Sequence, residues 1–219
     1  ADLVLDLAQS ASAVLIGPGL ADEPEARGLV QALLPHLAGP VVLDALGLVA
    51  SAAGNHEFDH SVLQDNLAAG LAEAEDHPNI HVLHRRSIVI GGVRFIGATL
   101  WTDYELYGST RDSMIYAGQT MPDHDVIRYR EPDGHISRFM PWHTRAEHFL
   151  DRGFIVDTLA FPHDGPTVVV THHLPTPRSV PPRFVGHPLS PAFASNLEPT
   201  IIAARPACWV HGHAHHSRD

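Results

Sequence analysis

The sequence predicts an α/β fold, on three observations. Short apolar runs of strand length, such as Val41-Val42-Leu43 and Thr167-Val168-Val169-Val170, alternate with segments of helical period. A hairpin signal, Ser87-Ile88-Val89-Ile90, Gly91-Gly92, Val93-Arg94-Phe95-Ile96-Gly97, sits between them, Gly-Gly suiting a primed two-residue turn. Polar clusters close three of the apolar runs: Gly54-Asn55-His56-Glu57, Thr171-His172-His173 and His211-Gly212-His213-Ala214-His215. Ligand-bearing loops at strand ends are where open α/β sheets form their crevices.

Taken in order, Leu3 to Ala11 predicts a short helix, and Ser12 to Ile16 a strand running into Gly17-Pro18-Gly19. Asp22 caps the next helix, with Pro24 in its first turn and Glu25 at the capping-box position. Leu29, Val30, Leu33, Leu34 and Leu37 form its apolar face; Gly39-Pro40 ends it, and Val41 to Asp44 is the second strand. A β-α-β unit with neighbouring strands is parallel and right-handed. Beyond residue 54 a helix is expected over 59–75, with Val62, Leu63, Leu67, Leu71 and Ala74 on one side, and a short strand over 80–83. Residues 101–140 read as a long excursion with short helices. Thr144 and Glu147 predict a capping box for a helix reaching Leu159 and burying Ala146, Phe149, Leu150 and Ile155. The strand at 167–170, a Pro-rich loop over 174–198, a short helix at 201–203 and a strand at 207–210 complete the chain.

Composition narrows function. The 219 residues suffice for one sizeable core, and the hydrophobic content of 44% with 18% charged residues is that of a soluble globular protein. A net charge of −11 argues against nucleic-acid binding, which needs a basic footprint. No apolar run reaches membrane-spanning length and no signal-peptide pattern opens the sequence. Cys208 stands alone, so an internal disulfide is excluded and a cytoplasmic location is expected. All 14 basic residues are Arg, which excludes a catalytic lysine. Of 18 histidines, seventeen follow residue 54, so only those in strand-end clusters stand out as ligand candidates.

Residues 13–20 and 40–45 resemble part of the ribokinase-like ADP-dependent NAD(P)H-hydrate dehydratases. That family's glycine loop has no counterpart here, and Leu46 stands where its second Asp belongs. The 1–53 segment is therefore expected as a structural β-α-β fragment, with Gly17-Pro18-Gly19 a strand-exit turn and Asp44 a strand-end carboxylate.

Residues 54–219 resemble the calcineurin-like metallophosphoesterase superfamily, through Gly54-Asn55-His56-Glu57, the histidine of Val170-Thr171-His172-His173, and Gly212-His213-Ala214-His215. The resemblance implies an incomplete phosphoesterase-type β-sandwich flanked by helices, joined to the N-terminal unit and lacking the family's C-terminal end. It implies Asn55, His172 and His213 as ligands of one divalent ion (Mn²⁺, Fe²⁺ or Zn²⁺), His215 as a contact to a second, and His56 as the general acid or a group that steadies the phosphate. Glu57 would orient His56. The substrate class implied is a small phosphate ester. The family's Asp-x-His and Gly-Asp-x-x-Asp/His motifs are absent, so at most one ion is expected to bind well, with Asp6 or Asp44 the carboxylates that would stand in for the bridge. Two readings follow: a metal-dependent phosphomonoesterase or phosphodiesterase, and a non-catalytic metal- or phosphate-binding remnant or inactive chimeric fragment. A natural fusion, an engineered chimera and a misassembled gene would all present this pattern.

Overall fold

A computed structural model describes residues 14–16, 41–44, 51–75 and 81–214. The α/β class predicted from the sequence holds: the strands form a three-stranded sheet, a four-stranded sheet and a two-stranded hairpin, with helices between them. The helices predicted over 3–11 and within 22–39 lie outside the described residues.

β1 (Val14–Ile16), β2 (Val41–Asp44) and β3 (Ser51–Ala52) pair in parallel in that order. The first two are the strands read from the sequence, and the third adds a short edge that leads straight into Gly54-Asn55. Asp44 ends β2 in register with Ala52, three positions before Asn55. Among the described residues this sheet shares no strand pairing with the larger one.

The four-stranded sheet runs β4 (Arg86–Ile90), β5 (Val93–Ala98), β8 (Thr167–Thr171), β9 (Cys208–His211). β4 and β5 are the predicted hairpin, and Gly91 and Gly92 both take positive φ (57° and 82°), as a primed turn demands. β5, β8 and β9 are parallel, so Ala98, Thr171 and His211 all arrive at one edge of the sheet. That edge is where the site forms.

Three expectations are corrected. Helix α1 spans Leu63–Glu75 and not 59–75: residues 56–58 form a 3-10 turn, and His60 at φ 58° prevents a continuous helix. Its inward side carries Leu63 and Leu67, as expected. Residues 81–83 are not a strand; Leu83 fills the core against Val170 without joining a ladder. The 101–140 excursion contains helices α2 (Thr110–Thr120) and α3 (Asp123–Val126), and also a hairpin, β6 (Arg128–Arg130) with β7 (Ile136–Arg138). Pro132-Asp133-Gly134 was the signal for its turn, with Gly134 at φ 90°.

The largest departure is helix α4 (Pro141–Ala160). Met140 is its N-cap and Pro141 its first residue, where a missing N–H costs nothing. The Thr144/Glu147 capping box is therefore wrong: both lie within the helix and both are buried. So is the burial pattern. His143, Thr144, Glu147, His148 and Asp151 face inward with Ile155, whereas Phe149 and Leu150 are exposed and Ala146 lies on their side.

The inward polar row has a purpose visible in its partners. Leu100 and Trp101, just past β5, both take left-handed φ (73° and 42°), which costs a non-glycine residue about 1–3 kcal/mol. Leu100 N donates to Asp151 Oδ2 at 2.8 Å, and Leu100 O accepts from His148 Nδ1 at 2.8 Å. Arg85 NH1 donates to Asp151 Oδ1 and Glu147 Oε2 at 3.0 and 2.8 Å, and Tyr129 OH donates to Glu147 Oε1 at 2.8 Å. Helix α5 (Glu198–Ala204) and 3-10 turns at 177–179, 182–184 and 190–192 punctuate the remaining loop.

This arrangement predicts opposite outcomes on the two faces of α4. Asp151→Ala strands the buried Leu100 N–H and should destabilise by about 1–3 kcal/mol from that donor alone. Leu150→Ser should stay within roughly 0.5 kcal/mol of the parent. Chemical denaturation of both variants reads the difference.

Candidate metal centre

Asn55 follows directly on the β3 exit, and its side chain is 2% exposed. His172 follows the last residue of β8 and is 4% exposed; His213 lies two past β9. The three converge. His172 Nε2 is 2.9 Å from Asn55 Oδ1 and 3.0 Å from His213 Nδ1. These residues are separated by 117 and 41 positions; the parallel ends of β8 and β9 bring His172 and His213 together, and Asn55 reaches them from the separate sheet that β3 ends.

Local backbone makes the approach feasible. A Cβ on Gly54 would lie 2.7 Å from His172 Nδ1 and Cε1 and from Glu57 Oε2, so only glycine fits between the β3 exit and the imidazole. His213 sits at φ 63°, so the positive angle of this turn falls on the histidine and not on the neighbouring Gly212. Gly212 N donates to His172 O at 3.0 Å and ties the two strand ends together. The His213 ring packs between His173 (centroids 4.2 Å) and Phe193 (4.4 Å).

Thr99 joins this edge to the strained Leu100. Its Oγ1 donates to Ala53 O at 2.7 Å, fixing the segment before Gly54, and its carbonyl accepts from His173 N at 3.1 Å. His173 is fully buried against Trp101 (centroids 5.1 Å). Burial drives its pKa down to about 3, opposed by the Thr99 carbonyl, so it is a neutral packing imidazole.

His56 is further out. It belongs to the 3-10 turn, its side chain is 57% exposed, and Nδ1 is 3.1 Å from Asp59 Oδ2. The hydrogen-bond partner of this ring is thus Asp59, where the resemblance implied Glu57. Partial burial works against its charged form, but the Asp59 hydrogen bond and the charges of Asp59, Asp123 and Glu57 outweigh that, and its pKa is raised. His215 lies outside the described residues, as does Asp6; Asp44 is placed only by its backbone. His211, at the end of β9, is a mostly neutral imidazole whose pKa burial lowers against the Gly212 carbonyl.

The Asn55–His172–His213 set fits a divalent ion. Metal–nitrogen distances near 2.1 Å place adjacent ligands roughly 3 Å apart, the separation found here. A second group was not legible in the sequence: His84, Glu147 and Asp151 bring ligand atoms within 4.8 Å of one another. Glu147 and Asp151 are one helical turn apart, but their inward direction contradicts the apolar pattern of α4, and His84 precedes β4 without any strand-end cluster.

Neither a family model nor a curated protein matches this chain. Its fold is similar to the crystal structure of phosphopantetheinyl hydrolase (PptH) from Mycobacterium tuberculosis, with a TM-score of 0.62 and 15% sequence identity, covering 97% of this chain and 78% of that one. At that identity the likeness establishes the fold. No helix among the described residues is long and apolar enough to cross a membrane.

The two histidines should titrate in opposite senses. His56, with its pKa raised above 6.5, contributes stability that is present below that value and lost as pH rises through the folded pKa. His173, held near 3, contributes stability present above 6.5 and lost as pH falls. NMR titration of the ring protons should show His56 shifting to lower pKa in Asp59→Asn, and His173 not titrating between pH 5 and 8.

Proposed function

We propose that the chain is a metal-dependent hydrolase of phosphate esters. The observation that carries this reading is the convergence of Asn55, His172 and His213 beyond the ends of β3, β8 and β9, with Gly54 shaped to admit the His172 ring. The fold it shares with a phosphopantetheinyl hydrolase supports the same reaction class. His215, two residues beyond His213, completes the proposed ligand set. The division into a 1–53 unit and a 54–219 phosphoesterase domain belongs to the same proposal, as does a cytoplasmic location.

A divalent ion (Mn²⁺, Fe²⁺ or Zn²⁺) held by these residues would supply Lewis-acid polarisation of a phosphoryl oxygen. The chain's own groups do the rest. Asn55 offers a neutral amide oxygen, and His172 and His213 neutral imidazoles, so the set adds no negative charge facing an anionic substrate. His56 is the proposed proton donor to the leaving oxygen: its raised pKa favours the protonated form, and its exposure leaves it open to a substrate. Asp59 holds that imidazole and stabilises its charge.

The second reading, a non-catalytic metal- or phosphate-binding remnant, is favoured by the donor set itself. Its three expected ligands, Asn55, His172 and His213, are all neutral, whereas a two-ion hydrolytic site needs a bridging carboxylate. Asp44, which closes β2 in register with Ala52, is one of the two carboxylates expected to stand in for the bridge.

Assays with Mn²⁺ against phosphomonoester and phosphodiester substrates separate the readings. Turnover should be abolished in Asn55→Ala and His213→Ala. It should fall roughly 10²–10⁴-fold in His56→Ala, the range of a lost general acid. Absence of turnover in the parent chain with every metal tried would leave the remnant.

A further inference from the structure

The buried row on α4 contains more negative charge than its partner cation balances. Glu147 is 4% exposed and Asp151 is wholly buried, and both face the single guanidinium of Arg85. Burial pushes the Asp151 carboxyl up to about 7; Arg85 opposes this and the Glu147 charge adds to it. His84 stands beside them. Both of its ring nitrogens are closed off from solvent and make no hydrogen bond. Burial, with Arg85 adding, holds its pKa to about 4, so it presents a neutral lone pair. An imidazole with two unsatisfied buried nitrogens is costly to keep unless something uses one of them.

The four carboxylate oxygens are divided in a telling way. Asp151 Oδ2 holds Leu100 N and Glu147 Oε1 holds Tyr129 OH, both structural duties. The other two, Asp151 Oδ1 and Glu147 Oε2, are bridged by one atom, Arg85 NH1, at 3.0 and 2.8 Å. A cation thus already sits between them, on a flexible side chain that is 28% exposed and has a route to solvent.

We infer that His84, Glu147 and Asp151 form a second site for a divalent cation of the zinc class, in which Arg85 NH1 holds the ion's place and withdraws when it binds. One imidazole with two carboxylates is a donor set that Zn²⁺ accepts, and an open fourth position suits water. Ligands of one zinc ion stand roughly 3.3 Å apart, so atoms now within 4.8 Å need only a small closure once the guanidinium leaves. The bound ion would replace a pair that leaves His84 unused with one that satisfies all three residues. Because Asp151 keeps its Oδ2 on Leu100, the ion would brace the strained turn that leads to Thr99. This site is independent of the Asn55 cluster and of the hydrolase reading.

The test uses the full chain carrying His172→Ala and His213→Ala, which removes the strand-end cluster. Zn²⁺ titrated by calorimetry should bind one equivalent that His84→Gln weakens by at least about tenfold. Arg85→Met should tighten it by removing the competitor. That variant should also lose thermal stability without metal and regain it on adding Zn²⁺, whereas His84→Gln/Arg85→Met should not regain it. Zinc affinity unchanged by His84→Gln, or an Arg85→Met protein that zinc does not rescue, overturns the proposal. If the double-alanine background does not fold, Co²⁺ titration of the otherwise unmutated chain asks the same question. His84→Gln must then remove one equivalent and alter the cobalt absorption; loss of neither overturns it.

Discussion

The clamp that α4 places on Leu100 is the interaction on which the rest of the structure depends. Leu100 leaves β5 in the left-handed region, and nothing in its own side chain favours that conformation. It stays because its N–H and C=O are both taken by buried side chains, Asp151 and His148, from a helix more than forty residues away. Hydrogen bonds to charged groups contribute about 1.5–3 kcal/mol, enough to offset one strained residue. With Leu100 held, Thr99 points its hydroxyl at Ala53 and its carbonyl at His173, so one clamp sets the position of two of the three strand ends at the site.

The same clamp explains why α4 turns its polar residues inward. A helix of this length ordinarily buries its apolar stripe. Here the space it faces contains unpaired backbone at a strained turn, the Arg85 guanidinium and Asp103, 3.7 Å from His148 Nε2. Leaving those groups unmatched would cost more than exposing Phe149 and Leu150, because a buried unsatisfied donor loses its full hydration. Ile155, one turn on from Asp151, returns to the apolar core with Ile96, Ala98, Leu100 and Val169. The helix thus changes the character of its inward face along its length.

At the strand-end cluster, compactness is the governing constraint. Asn55 and His213 each come within about 3 Å of the His172 ring nitrogen, with Gly54 lacking a Cβ and His213 taking a positive φ. The rings of His173 and Phe193 then pack His213 from either side and restrict its rotation. His56, carried on a turn and paired with a surface carboxylate, lacks that packing. The inner imidazoles are thus held by packing, and the outer one by its Asp59 partner.

The α/β class, the parallel β1–β2 pair, the Gly91-Gly92 hairpin, β8, β9 and the grouping of Asn55, His172 and His213 were all legible in the residues. Each rests on local rules: β-branched runs, positive-φ glycines, and polar residues placed where a buried strand ends. The inward face of α4, its start at Pro141, the Asp59 partner of His56 and the His84–Glu147–Asp151 group were not. Those depend on which distant backbone groups a segment meets once it is packed, and Asp151 carries no local sign that Leu100 will need it. Local chemistry thus determined the strands and the strand-end polar cluster, and the tertiary structure alone decided where buried polarity had to go, because an unmatched N–H or charge exists only after water has been removed from it.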